Sequence, residues 1–403
     1  MARRRALRAA LVLVPLGTVW LVAAAFLWDT SVPSDLRLPD VEPARLVVAG
    51  DLARAERFER VSRLLALGGQ VALLVVLALY AWRGHRLMRE SAAGRIGTGM
   101  LLGMLGLAFV WFSQLPFGFA QHWWHRRYGL TELNYLEFIV EDWLALAGAF
   151  LFICLALLIV MALAGVLRRR WWIAAAPAFV GLGTFFAFLF PYLTPGLEPL
   201  DDPALETRAR QLAGELGTDP IPVRVEAMSE YTSAPNAWTA GIGPSRRVVI
   251  GDTLLFGFSD AEVVVVLAHE LAHQAREHIW KGVGWYALFA FPGAFLIAVA
   301  ARRRGGMAEP AAVPLALLVL VGLQTLALPI DNAFSRRLEA EADWSALEVT
   351  RTPGAAERLF AGFTEEALAD PTPPGWSYAL LETHPSIEDR VAMARAWAAR
   401  SRR

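Results

Sequence analysis

Five residues, His269–Glu270–Leu271–Ala272–His273, carry the pattern H-E-x-x-H. Imidazoles four residues apart lie on one face of a helix, close enough to share one divalent cation, and zinc takes nitrogen ligands of this kind. Glu270, next to the first of them, can take a proton from a water at the metal, which is the part of a general base in hydrolysis. Satisfied core histidines are the weaker reading, because the chain has only seven histidines in 403 residues and the motif follows a capped apolar helix start. A catalytic zinc needs a third protein ligand and one open position. The segment Ser335–Arg336–Arg337–Leu338–Glu339–Ala340–Glu341–Ala342–Asp343 offers one. Glu339 and Asp343 share a helix face, so Glu339 can ligate while Asp343 accepts an N–H from a ligand imidazole. Glu341 falls on the opposite face and is expected to meet water. His278, nine residues after His269, is out of phase with the ligand face and reads as structural.

The elements that position these groups follow from local pattern. Ser259 to Glu262 reads S-x-x-E, a capping box opening a helix that the pattern carries through His278. The apolar run Val263–Val264–Val265–Val266–Leu267 follows it. Upstream, Asp202–Pro203 starts a helix as N-cap and first-turn proline, and Gly217 ends it. Ile221, Val223 and Val225 alternate with polar residues as a half-buried strand does. Asn236 to Gly241 and Arg247 to Ile250 flank Gly243–Pro244–Ser245, a strand–turn–strand pattern. Helices also fit 354–369 and 387–401.

Composition says where these elements sit. The chain is 56% hydrophobic and 19% charged, against about 45–50% and about 25% for a soluble domain. Net charge is zero, so nothing points to nucleic acid as a partner. Cys154 is the only cysteine, which excludes a disulfide framework. Apolar runs near 7–28, 62–82, 96–120, 144–167, 171–193, 283–301 and 313–330 each have roughly the length a helix needs to cross a bilayer. The first is read as a retained helix, with a cleaved signal peptide as the alternative. Arginines before span one (Arg3, Arg4, Arg5, Arg8), after span two (Arg83, Arg86, Arg89, Arg95), at Arg168–Arg170 and at Arg302–Arg304 fall on one side of a seven-span arrangement. That bias puts the N-terminus in the cytoplasm and residues 194–282 and 331–403 outside. Almost all basic residues are arginine, with Lys281 the one lysine; with the heavy alanine usage this reads as genomic bias, and a bacterial cell membrane is the expected location.

The motifs together resemble the type-1 CAAX prenyl endopeptidase family of integral-membrane gluzincin metalloproteases. The resemblance rests on HELAH, on S-R-R-x-E-x-E-A-D, and on Thr383–His384–Pro385 with Arg390 five residues beyond the proline. It rests also on Asn236–Ala237–Trp238–Thr239–Ala240–Gly241 running to Arg247 through Leu255. In the N-terminal half, Gln114–Leu115–Pro116–Phe117–Gly118–Phe119 and Arg127–Tyr128–Gly129–Leu130 are similar to that family's membrane-domain signature. The resemblance covers about 100 to 395 and implies one catalytic zinc on His269, His273 and Glu339, Glu270 as base, and Asp343 behind the ligands. It implies a mainly α fold: a seven-helix integral membrane protein around a large water-filled chamber, with a gluzincin-like zinc protease domain containing a small β-sheet. The corresponding division is a membrane domain over 1–193, with five of the spans, and a metallopeptidase domain over 194–403, with the last two.

Further candidates surround this core. An edge strand carrying Asn236 and Ala237 can bind an extended peptide, and Asn236 either bonds the substrate backbone or is simply a turn residue after Pro235. His384 either stabilises the oxyanion of a tetrahedral intermediate or makes a structural bond in its loop. Arg390 is placed with substrate binding, pairs with a carboxylate near the zinc, or is simply a surface residue. His85, His122 and His125 sit at span ends, and Gln70, Gln114 and Gln324 either line a wet cavity or bond a neighbouring helix. The expected activity is peptide-bond hydrolysis on membrane-associated or lipidated substrates at the lipid bilayer. A broad quality-control protease and a silent zinc-bound scaffold are the alternatives.

Overall fold

Backbone amides inside hydrocarbon have no water to bond, so apolar spans must close their hydrogen bonds within helices. The computed structural model describes residues 2–47, 49–86 and 93–402. Arg89 lies outside them, and the side chains of Arg3, Arg4, Arg5, Arg8, Arg45 and His85 are outside the description too. Five long helices come first: α1 (Ala2–Trp28), α2 (Ala49–Arg83), α3 (Gly94–Tyr128), α4 (Tyr135–Leu167) and α5 (Trp171–Leu193). A polar region follows with β1 (Leu197–Pro199), α6 (Pro203–Glu215), β2 (Val223–Glu226), β3 (Ala237–Ala240), β4 (Arg247–Gly251), α7 (Asp252–Gly257) and α8 (Asp260–Ala275). Two more long helices, α9 (His278–Ala301) and α10 (Val313–Thr350), precede α11 (Pro353–Glu366), α12 (Gly375–Leu380) and α13 (Ile387–Ser401).

Among the described residues five stretches are long and apolar enough to cross a membrane: Gly50–Arg83, Gly94–Tyr128, Tyr135–Leu193, His278–Arg304 and Pro310–Thr350. The third contains both α4 and α5, which part at the turn Arg168–Arg170, and α1 adds the shorter apolar run Val14–Trp28. The protein is therefore an integral membrane protein, mainly α, with seven long helices among the described residues. Glycines let α3 approach α4: a methyl group on Gly99 or Gly103 would strike Met161 or Leu157, the small-residue packing that membrane helices use. One apolar cluster joins Leu77, Leu102, Met161 and Trp171 to Val313 and Leu317 of α10.

A second core lies in the polar region. The sheet has the order β1-β2-β4-β3, with β2 and β4 parallel and β3 antiparallel to β4 at one edge. Val248 and Ile250 of β4 are fully buried against Leu267 and Leu271 of α8, and Leu347 of α10 closes the same cluster. The expected helices are present: Asp202 caps α6 through bonds from Ala204 and Leu205, and Ser259–Glu262 caps α8 as a reciprocal box.

Two elements depart from expectation. The helix expected through His278 ends at Ala275, and Glu277, in the left-handed region at φ 56°, turns the chain so that His278 begins α9. The last span and the ligand segment, expected as separate pieces, form one helix of 38 residues. At 1.5 Å per residue it runs about 57 Å, well beyond a hydrocarbon core of about 30 Å. Its outer end carries Glu339 to Asp343 straight off a membrane span.

Candidate metal centre

The site is built where α8 packs on the outer end of α10. The Ser259 backbone N–H donates to Glu262 at 2.9 Å, which fixes the start of α8 and so the rotation of its ligand face. At its other end Gln274 donates to Thr239 Oγ1 at 2.9 Å and to the Ala240 carbonyl at 3.3 Å, tying the helix to β3. His269 and Glu270 are buried.

Three side chains converge. His269, His273 and Glu339 each present a ligand atom, all within 4.8 Å of one another. His269 Nδ1 donates to Asp343 Oδ1 at 2.8 Å, so Nε2 is the nitrogen that faces the cluster. His273 Nε2 lies 3.1 Å from His269 Nε2, and Glu339 lies 3.2 Å and 3.6 Å from the two rings. Glu339 Oε2 is buried with no hydrogen-bond partner. Electron-pair donors held this close repel unless a cation lies among them, so the residues fit a metal of the zinc type. The electrostatics agree. Burial pushes His269 down, but the carboxylates of Asp343 and Glu339 outweigh it and raise the ring to about 10; the pocket calls for positive charge. Burial raises the Glu270 carboxyl above its usual range, which makes it a better proton acceptor.

The remaining candidates are distributed as follows. His384, half exposed, places Nε2 3.2 Å from Glu339 Oε2, with Thr383 Oγ1 3.1 Å from its other nitrogen. Its loop is held by Arg336, which donates to the Glu382 and Tyr378 carbonyls; the S-R-R pattern by itself carries no signal of that role. Arg390 donates from Nε and Nη2 to Asp343 at 2.8 and 2.7 Å. Arg390 therefore pairs with a carboxylate beside the metal centre, as one of its readings expects. Ala237 opens edge strand β3 opposite Ile250, while Asn236 gives its carbonyl to Gly251 N–H and keeps an exposed side chain.

Glu341 and His278 correct the sequence reading. Glu341 does not face water: it is 3% exposed and accepts from His278 Nε2 at 3.0 Å, Lys281 Nζ at 2.8 Å and the Ser31 backbone N–H at 2.7 Å. The start of α9 and the segment after α1 cover that face of α10. His278 is turned toward the ligands by the bend at Glu277, with Nδ1 2.9 Å from His273 Nδ1. A cavity of about 520 Å³ between α2, α3 and the His384 loop is lined by Glu59, Arg63, Gln114, Gln121 and Glu382. Gln114 also bonds the Gly69 carbonyl, Gln70 bonds Thr325 across to α10, and His122 bonds the Leu133 carbonyl.

A helix bearing H-E-x-x-H, packed against the extension of a membrane-spanning helix that brings a glutamate to it, defines a membrane metallopeptidase. Residues 199–398 match the model of peptidase family M48. An uncharacterised metalloprotease YhfN of Bacillus subtilis is 30% identical over 56% of this chain, and the match spans 57% of that relative's length. A CAAX prenyl protease 1 homologue of Taenia solium is 23% identical over 80% of both chains. The crystal structure of S. mikatae Ste24p superposes with a TM-score of 0.75 at 17% identity, over 94% of this chain and 96% of that one. The chain is thus similar to peptidase family M48 over its C-terminal half and to a CAAX prenyl protease 1 homologue over most of its length.

Proposed function

We propose that the protein is a zinc-dependent endopeptidase that cuts membrane-associated peptides, prenylated CAAX-type substrates among them. The observation that carries this reading is the convergence of His269, His273 and Glu339 beside the buried Glu270, at the outer end of a helix that continues into the membrane. These three residues would hold the zinc, which when bound would supply Lewis-acid polarisation of a scissile carbonyl and a water acidic enough to serve as nucleophile near neutral pH. Glu270 takes the proton of the attacking water and passes it to the leaving amine. Its desolvated carboxylate favours the first transfer. Asp343 keeps His269 turned with Nε2 toward the metal, and Arg390 keeps Asp343 in place. His384 is the candidate donor to the charge that develops on the carbonyl oxygen. The edge of β3 from Ala237 supports an extended substrate by strand pairing, with Asn236 at its entry.

In this reading residues 1–193 form the membrane unit and 194–403 the peptidase. The arginines at 168–170 and 302–304 support an N-terminus in the cytoplasm with the metal centre on the far face. Labelling of cysteines introduced into those two turns tests it, and labelling from the outside overturns it.

Glu270→Gln tests the chemistry. The variant is expected to keep one zinc per chain while cleavage of a farnesylated peptide falls by roughly 10²–10⁴-fold. Excess chelator abolishes cleavage by the parent and added zinc restores it. Undiminished activity in Glu270→Gln would falsify the assigned base. A parent that cuts unfolded membrane proteins and ignores the farnesylated peptide replaces the CAAX reading by general quality control.

A further inference from the structure

The two histidine ligands are supported differently. His269 leans on a carboxylate directly, as a metal ligand commonly does. His273 leans on another imidazole, and an imidazole is a usable support only in one tautomer.

We infer that Glu341, His278 and Lys281 form a support chain that holds His273 with its proton on Nδ1, leaving Nε2 free for the metal, and that this chain ties the segment after α1 to the metal centre. The inference rests on the metalloprotease reading above and adds positioning residues to it.

The order of protons follows from the end of the chain. Lys281 donates to Glu341 Oε2 at 2.8 Å, and the Ser31 N–H donates to Oε1 at 2.7 Å, so Glu341 is an ionised acceptor. The His278 Nε2 facing the same Oε2 at 3.0 Å must therefore carry hydrogen. In a neutral ring that leaves Nδ1 as the acceptor. The only hydrogen for the 2.9 Å contact between His278 Nδ1 and His273 Nδ1 is then the one on His273. His273 Nε2, at the cluster, is left with its lone pair. The opposite arrangement would put a proton on the nitrogen that has to ligate.

The side chains of His278 and Glu341 are each 4% exposed, so water does not substitute for either. The support reaches across the fold. Lys281 Nζ also donates to the Asp29 carbonyl at 3.2 Å, and Arg337, on α10 beside Leu338 and Glu339, donates to the Trp28 carbonyl at 2.9 Å. Residues 28–31 are thus clamped onto the helix that carries Glu339, and the exit of α1 becomes part of the metal site.

The test compares His278→Ala, His278→Asn and Glu341→Leu in the full-length protein in detergent. Zinc affinity is measured by competition with a chromogenic chelator, and ligand geometry by the visible absorption of the cobalt(II) form. Asn Oδ1 stands where Nδ1 stood and accepts the same hydrogen. His278→Ala and Glu341→Leu are expected to bind zinc roughly 10–100-fold more weakly with altered cobalt spectra. His278→Asn stays within a few-fold of the parent, which separates hydrogen-bond support from mere filling of space. Unchanged affinity in His278→Ala, or His278→Asn as impaired as His278→Ala, overturns the support chain. A parent that binds no zinc at all overturns the metalloprotease reading instead.

Discussion

Replacing Arg390 with methionine keeps the length of the stem and removes both bonds to Asp343. Those bonds are 2.8 and 2.7 Å long, the side chains are 11% and 2% exposed, and the guanidinium lies 4.1 Å from the ring of Phe360. A pair so far out of water is not a surface ion pair. Without Arg390, Asp343 keeps one partner, the His269 N–H, and stays buried as a carboxylate. Breaking a buried pair from one side costs about 3–5 kcal/mol, roughly 10²–10⁴ in the ratio of folded to unfolded protein. The assay is denaturant unfolding in micelles with zinc in excess, followed by tryptophan fluorescence. A cycle with Asp343→Asn should show the double variant less unstable than the summed singles by about 1 kcal/mol or more. His269 keeps its acceptor in Arg390→Met, so zinc content stays near that of the parent, whereas Asp343→Ala loses affinity by roughly 10–100-fold. A midpoint unchanged from the parent, or singles that add to the double within about 0.5 kcal/mol, refutes the buried-pair account.

Gly241 sits at φ 87°, and a Cβ there would meet the Ser245 backbone, so Gly241→Ala should cost well over about 1 kcal/mol. Gly217→Ala, at φ 78° with open space around it, should cost about 1 kcal/mol; equal costs would remove the clash from the explanation. Burial opposes ionisation of Glu262, but Ser259 and Arg358 outweigh it and hold the carboxyl below its ordinary 4.5. Its contribution is therefore complete at neutral pH and fades as pH falls through the lowered value. Glu262→Gln should be less stable than the parent by about 1 kcal/mol at neutral pH, and stepwise acidification should close the gap; a gap that widens on acidification contradicts the assignment.

The parts of this molecule set by short-range rules were legible in the residues. The capping box at Ser259, the four-residue spacing of His269 and His273, and the same spacing of Glu339 and Asp343 each depend on one helical turn. Three strands of the small sheet were legible because β2, β3 and β4 alternate or flank a glycine–proline turn, whereas the three-residue β1 shows no such pattern and is fixed by its pairing with β2. The phase of His278 relative to the ligands was not legible, because the helix expected to carry it stops at Ala275 and nothing local announces a left-handed glutamate at 277. Glu341 was misread for a different reason. Its face of α10 is covered by His278, Lys281 and Ser31, and the last of these lies 310 residues away. Helical phase says which residues are opposite the ligands; it does not say what lies against that opposite face. A single lysine among so many arginines was the one available hint, since a compact three-donor ammonium suits a carboxylate that must also serve a histidine.

That lysine gives the protein an unusual handle. Lys281 is the chain's only source of an ε-amine, and its side chain is 22% exposed. An amine-directed reagent, apart from any action at the chain start, reports on the bonds of Lys281 to Glu341 and to the Asp29 carbonyl. A lysine-specific protease has one place to cut, and it divides the polypeptide into a fragment with His269 and His273 and a fragment with Glu339. The ion those residues would share then becomes a clasp between two separate chains, and its removal can be read as the release of one from the other.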